Sequence, residues 1–181
     1  MENAKQLLCS NQMKWVNLQM LRFILPTSYF VSRYNTNQDP RCSFCHNHIE
    51  LIPDLVWSCQ KVREFWSMVG NILKSYFPNF NLGRKEAIFG DHTSNGNSVI
   101  NTIIIFSKQF IWTEKFGTKN LNELHYILFM QKELKLLLEI MQFKGEMQSL
   151  NPGWAAILQH FELQIWLIFH TFKSLATSHD D

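Results

Sequence analysis

The stretch Arg41–Cys59, RCSFCHNHIELIPDLVWSC, decides how the rest of the chain is read. Three of the four cysteines fall inside it, at Cys42, Cys45 and Cys59. Cys42 and Cys45 have the two-residue spacing of a metal-binding knuckle, in which a tight turn aims two thiolates at one ion. Cys59 follows after thirteen intervening residues, near enough to be a third ligand. His46, His48 and Asp54 lie between, so a tetrahedral zinc site can be completed in more than one way. The spacing from Asp54 to Cys59 makes Asp54 the first candidate for the fourth position, with His48 as the alternative. His46 adjoins Cys45 so closely that chelation there would be strained. The basic neighbours Arg41, Lys61 and Arg63 would offset the negative charge of either ligand set.

Outward from this stretch the periodicity is helical. Before it, Leu7, Leu8, Trp15, Leu18, Leu21, Ile24 and Leu25 recur at helical spacing until Pro26, and Thr27 or Ser28 can cap a short helix running to Tyr34. Residues 1–40 are thus expected to form an N-terminal helical pair, ending in the turn-rich NTNQDP. After Cys59, the residues Val62, Phe65, Trp66, Val69, Ile72, Leu73 and Tyr76 mark the clearest helix, and Pro78 ends it. The knuckle and this helix make a segment 41–90, with Asn79–Gly90 irregular. The polar run 91–98 reads as a loop and a subdomain boundary, and residues 99–175 as C-terminal helices. Among these, Val99–Phe116 has β-branched content, but its length favours a helix, and Asn120 can cap another through about Lys144. Residues 176–181 are expected to be a disordered tail. The fold class is mostly α, a multi-helix domain with a small inserted zinc knuckle.

Composition narrows the class. With 181 residues, 46% of them hydrophobic, the chain can bury a sizeable core, and 7 Gly and 5 Pro disfavour a many-stranded β architecture. The net charge is +2, but residues 5–119 carry 13 Lys/Arg against 7 Asp/Glu while residues 120–181 carry 4 against 7. An anionic partner would therefore meet the front half. Four cysteines do not make a secreted disulfide framework, the N-terminus has no apolar signal core, and no apolar run reaches the roughly 18–20 residues of a membrane span. An intracellular, soluble protein of nucleus or cytoplasm is expected, with no membrane partner.

The runs LRFILPTSYFVSR, DPRCSFC and DLVWSCQKVREFW resemble the zinc-binding region at the C-terminal end of LINE-type (non-LTR) retrotransposon reverse transcriptases. That family shows Cys-x2-Cys, a spacer, His-x4-Cys and a helix with an aromatic pair, here Phe65-Trp66. EAIFGD, VINTIIIFSKQFIW and KELKLLLEI occupy matching downstream positions, and the resemblance runs from about Leu18 to Trp154. Its departure is specific: the family histidine falls on Asp54.

The resemblance implies a structural Zn2+ and a place beside a reverse transcriptase polymerase domain, with RNA or DNA as partner. The physical means would be Arg33, Arg41, Lys61 and Arg63 on phosphates, with Tyr34 or Phe44 stacking on an unpaired base. No catalysis is expected, and no small-molecule substrate. The lone Asp180-Asp181 pair has no strand after it, and no phosphate loop, G-x-S-x-G or HExxH is present. The alternative is a decayed or co-opted helical scaffold that binds protein through its apolar C-terminal helices.

Overall fold

The computed structural model describes residues 10–91, 98–145, 153–154 and 156–162. The expectations for Leu7 and Leu8, for most of the 91–98 loop, for the C-terminal helices beyond residue 162 and for the 176–181 tail lie outside them. The described chain is mostly helical, and its sole β pairing is an isolated antiparallel bridge between Arg41 and Ile49. No helix among the described residues is long and apolar enough to cross a membrane. The chain divides into two compact units, Met1–Glu123 and Leu124–Asp181, so the 91–98 segment falls within the first.

Helix α1, Asn11–Leu21, begins where the Ser10 hydroxyl accepts the Met13 N–H at 3.2 Å. It buries Met13, Val16 and Met20, whereas Trp15 and Ile24, expected on its apolar face, are each 56% exposed. The thioether side chains fill the inner face, and α1 stops before Pro26 because Phe23 takes a left-handed backbone (φ 55). Helix α2, Ser28–Ser32, is capped by the Thr27 hydroxyl on Phe30 N–H.

After the knuckle the chain makes a wide π turn, Asp54–Ser58, and then α3, Gln60–Tyr76. The apolar stripe of α3 is buried as its spacing requires: Val62, Phe65, Trp66, Val69 and Leu73. Trp66 also donates its indole N–H to the Val56 carbonyl at 2.8 Å, which fastens α3 to the π turn.

Residues 84–89, expected to be irregular, form a helix α4, Arg84–Phe89. Its start is fixed by Glu86, whose carboxylate accepts the Gly83 N–H at 3.0 Å, and its end by Gly90 at φ 88. A side chain at Gly90 would also meet Asn101 Oδ1 at 2.5 Å, the atom that accepts the Asp91 N–H.

Helix α5, Ser98–Phe116, is buried around most of its circumference, which explains its nearly unbroken apolar sequence. It packs on α1, α3 and the π turn, and Phe110 stacks on Phe65 with centroids 5.4 Å apart. In the second unit α6, Glu123–Lys144, starts three residues beyond the expected cap Asn120. Its Tyr126 meets the edge of Phe161, and Gln131 donates to the Phe161 carbonyl at 2.9 Å.

Candidate metal centre

The knuckle is a short hairpin whose tip carries the first two thiols. Glu50 N–H donates to Pro40 O at 2.9 Å and Cys42 N–H to His48 O at 2.7 Å, so the two arms are zipped up to the Arg41–Ile49 bridge. The turn closes when His46 N–H reaches Cys42 O at 3.0 Å, and His46 itself sits at φ 56. That left-handed backbone is one glycine adopts most cheaply, although histidine tolerates it better than most residues.

This turn brings Cys42 and Cys45 beside Cys59, the N-cap residue of α3, and the three sulfurs all lie within 4.8 Å of one another. Ligands of tetrahedral zinc at about 2.3 Å from the metal stand about 3.8 Å apart, so small side-chain rotations would close the cluster on an ion. Cys42 and Cys59 are fully buried, and Cys45 is partly exposed at the mouth.

Their titration is coupled. The Cys42 thiol is pushed well above its ordinary value, first by its hydrogen bond to Cys59 and then by burial, against the amides of Cys45 and Phe44. Cys59 is drawn down, first by that same bond to Cys42, with the first-turn amides of Val62 and Lys61 helping against burial. Those amides belong to the N-terminal end of α3, where N–H groups point toward the Cys59 sulfur and favour its anion. The shared bond thus moves the two thiols in opposite directions, Cys42 up and Cys59 down.

The two candidates for the fourth position touch each other. His48 Nδ1 lies 3.7 Å from Cys45 Sγ, and His48 Nε2 lies 3.3 Å from Asp54 Oδ1. The second oxygen of Asp54 accepts the Leu51 N–H at 3.0 Å. Soft sulfur donors with an imidazole in reach suit zinc, so the donor set fits the expected metal.

The proposed phosphate contacts stand on separate elements. Arg33 follows α2 and is exposed, as is Arg63 in the first turn of α3. Arg41 is forked onto Asp39 at 2.8 Å, which holds that carboxyl down at about 2. Lys61 pairs with Glu64 at 3.1 Å. A cavity of about 260 Å³ beside the knuckle is lined by Phe44, Lys61, Phe65, Met68, Lys119 and Asn120, among others.

A buried polar network escaped the sequence reading. Glu50 has no solvent exposure and accepts the Ser28 N–H at 2.7 Å and the Ser43 N–H at 2.9 Å. Lys115, near the end of α5, pairs with Glu50 and also donates to the hydroxyls of Ser28 and Ser43. Burial works to raise the Glu50 carboxyl, but Lys115 and the two amides outweigh it and leave its pKa below the ordinary value. The only local signal was Glu50 inside the apolar IELI; Lys115 is preceded by Glu114 in FIWTEKF, so nothing in the sequence picks out its partner.

Lys108, on the same helix, is equally buried but has only neutral acceptors, Asn17 Oδ1 at 2.7 Å and Ile88 O at 2.6 Å. Burial lowers its pKa to about 7.

Comparison with family models, with curated proteins and with solved structures finds no match to this chain.

Proposed function

We propose that this protein is a non-catalytic zinc-binding module whose metal locks the knuckle onto the start of α3. The observation that carries this is the convergence of three sulfurs within 4.8 Å from two separate elements, two of them fully buried. Three thiolates converging on one point select a soft or borderline ion. Zn2+, when bound, supplies a cross-link between residues 42–45 and the helix that follows Cys59. The chain's part is to hold two sulfurs on a pinned turn and to aim a helix N-terminus at the third. Metal analysis of the purified protein tests this: about one equivalent of zinc is expected, lost in Cys42→Ser. Zinc-free protein with unchanged stability in Cys42→Ser would overturn it.

The partner we infer is single-stranded RNA or DNA, as the resemblance to retrotransposon reverse transcriptase tails suggests. The feature supporting it is the cavity whose wall holds the edge of the buried Phe44 together with Lys61, its partner Glu64, and Lys119. Binding of a labelled single-stranded oligonucleotide should weaken steeply with salt, and Lys61→Ala with Lys119→Ala should reduce both affinity and salt slope. Affinity indifferent to salt would argue against phosphate contacts.

A second reading, a protein-binding helical scaffold, draws support from α6. Leu128, Leu136, Ile140 and Phe143 lie at helical spacing there, and all are exposed, Phe143 at 93%. Under that reading oligonucleotide binding is absent and the stripe is covered by a protein partner.

A further inference from the structure

Zinc needs a fourth ligand, and two residues stand close enough to compete for the place. We propose that His48 is that ligand through Nδ1, and that Asp54 is a positioning residue that orients its ring without touching the metal. The inference rests on the zinc reading above and deepens it.

Three geometric facts carry it. First, His48 Nδ1 is 3.7 Å from Cys45 Sγ. A nitrogen and a sulfur sharing a tetrahedral zinc, at about 2.0 and 2.3 Å from it, are about 3.6 Å apart, so this edge of the tetrahedron already exists. Second, both oxygens of Asp54 are engaged elsewhere, Oδ1 with His48 Nε2 at 3.3 Å and Oδ2 with the Leu51 N–H at 3.0 Å. To ligate through Oδ1, Asp54 would have to give up its contact with His48, and through Oδ2 the Leu51 bond at the start of the π turn. Third, the backbone of His48 is pinned opposite the first thiol, since its carbonyl accepts the Cys42 N–H at 2.7 Å.

The arrangement favours one tautomer. With Nε2 turned toward the Asp54 carboxylate at 3.3 Å, an N–H on Nε2 would leave the Nδ1 lone pair toward Cys45 Sγ. Ligating histidines usually give their outer N–H to a carboxylate or carbonyl in this way, which sets the ring and raises its basicity. His46 cannot take the part. Its left-handed backbone belongs to the turn, whereas His48 Nδ1, although it too lies outside the cluster of three sulfurs, already stands 3.7 Å from Cys45 Sγ.

The experiment uses the full chain stripped of zinc and titrated with Co2+, whose visible bands report tetrahedral geometry and whose charge-transfer intensity counts thiolates. The wild type should show a tetrahedral site with three sulfurs and one nitrogen. His48→Ala should keep the three-sulfur charge transfer, shift the visible bands as water enters, and weaken binding at least tenfold. His48→Cys should restore a tetrahedral spectrum with a fourth sulfur. Asp54→Asn should keep the wild-type spectrum while weakening binding roughly ten- to a hundredfold, as outer-shell partners do. Cadmium-113 NMR of the same variants separates a nitrogen from an oxygen neighbour independently.

An unaltered spectrum and affinity in His48→Ala would overturn the proposal. So would loss of the fourth-ligand signature in Asp54→Asn with His48→Ala left tetrahedral, which would make Asp54 the ligand. Failure of the wild type to bind Co2+ or Zn2+ at all would instead overturn the zinc reading itself. His48 is a half-exposed side chain, so its substitutions leave the fold intact for these measurements.

Discussion

The knuckle is held on two sides by opposite chemistries. On one side three sulfurs converge from the turn and from the N-cap of α3. On the other a single carboxylate, Glu50, gathers the amides of Ser28 and Ser43 and the ammonium of Lys115. The carboxylate side is complete in itself, because every charge there has its counter-charge and its hydrogen bonds. The sulfur side has no counter-charge of that kind among its three thiols, which lie close enough to hold a metal ion. A module clamped this way can keep its place on the helices without metal while its turn and π turn loosen.

The largest test of this difference is on the sulfur side. Chelation, or Cys42→Ser, should lower the unfolding free energy of the zinc form by on the order of 5 kcal/mol or more, since metal binding is folding energy in such sites. Thermal unfolding at fixed free zinc reads it. A loss under about 1 kcal/mol would reduce the cluster to ordinary packing.

The carboxylate side should respond differently. Glu50→Gln is expected to cost about 3–5 kcal/mol by stranding the Lys115 charge, yet Glu50→Leu combined with Lys115→Met should cost far less than the sum of its parts. Urea unfolding of the two singles and the double checks this. The acid limb adds a sign. Because the folded Glu50 pKa is depressed, its contribution is present above the unfolded value near 4.5 and is lost as pH falls through the folded one. Stability of the double variant should therefore fall less steeply in acid.

Lys108 shows what a buried lysine does without a carboxylate. Its pKa falls from 10.5 to about 7, so the folded state sheds a proton that the unfolded chain keeps between these values. More protons on the unfolded chain mean that stability rises with pH across that window, by on the order of 5 kcal/mol in all. Lys108→Met should abolish this rise while leaving the acid limb to Glu50. A flat profile in the wild type would mean that Asn17 and Ile88 keep the ammonium charged.

The smallest effect belongs to the turn. His46→Gly should relieve the left-handed backbone and gain about 0.5 kcal/mol, visible as a higher denaturation midpoint at unchanged slope. Loss of stability instead would give the His46 ring a role that its geometry does not suggest.

What could be read beforehand follows the range of each interaction. Helices α3 and α6 announced themselves because an apolar stripe repeats every turn, α5 by the length of its apolar run, and Cys42-x2-Cys45 because a turn fixes that spacing. Helix α4 is only six residues long, too short for periodicity, and its one local signal is Glu86 reaching back to Gly83. The inner face of α1 was misjudged because its buried residues, Met13, Val16 and Met20, are no more apolar than the exposed Trp15 and Ile24. The pairing of Glu50 with Lys115 spans 65 positions, and no pattern in a single chain links them. The Asp54–His48 contact is close in sequence but depends on the π turn, which swings Asp54 back over the knuckle.

That span of 65 residues also sets an order of events. The turn, the π turn and the first half of α3 meet through contacts such as Trp66 to Val56, only ten positions apart, which a searching chain closes at small entropic cost. Lys115 can reach Glu50 only after α5 has formed and docked. The knuckle with α3 is thus suited to nucleate, and the buried ion pair to close the structure last. Kinetically, Glu50→Leu should speed unfolding and leave the folding rate nearly unchanged, whereas shortening Trp66 should slow folding itself. If Glu50→Leu slows folding instead, α5 docks before the rate-limiting step.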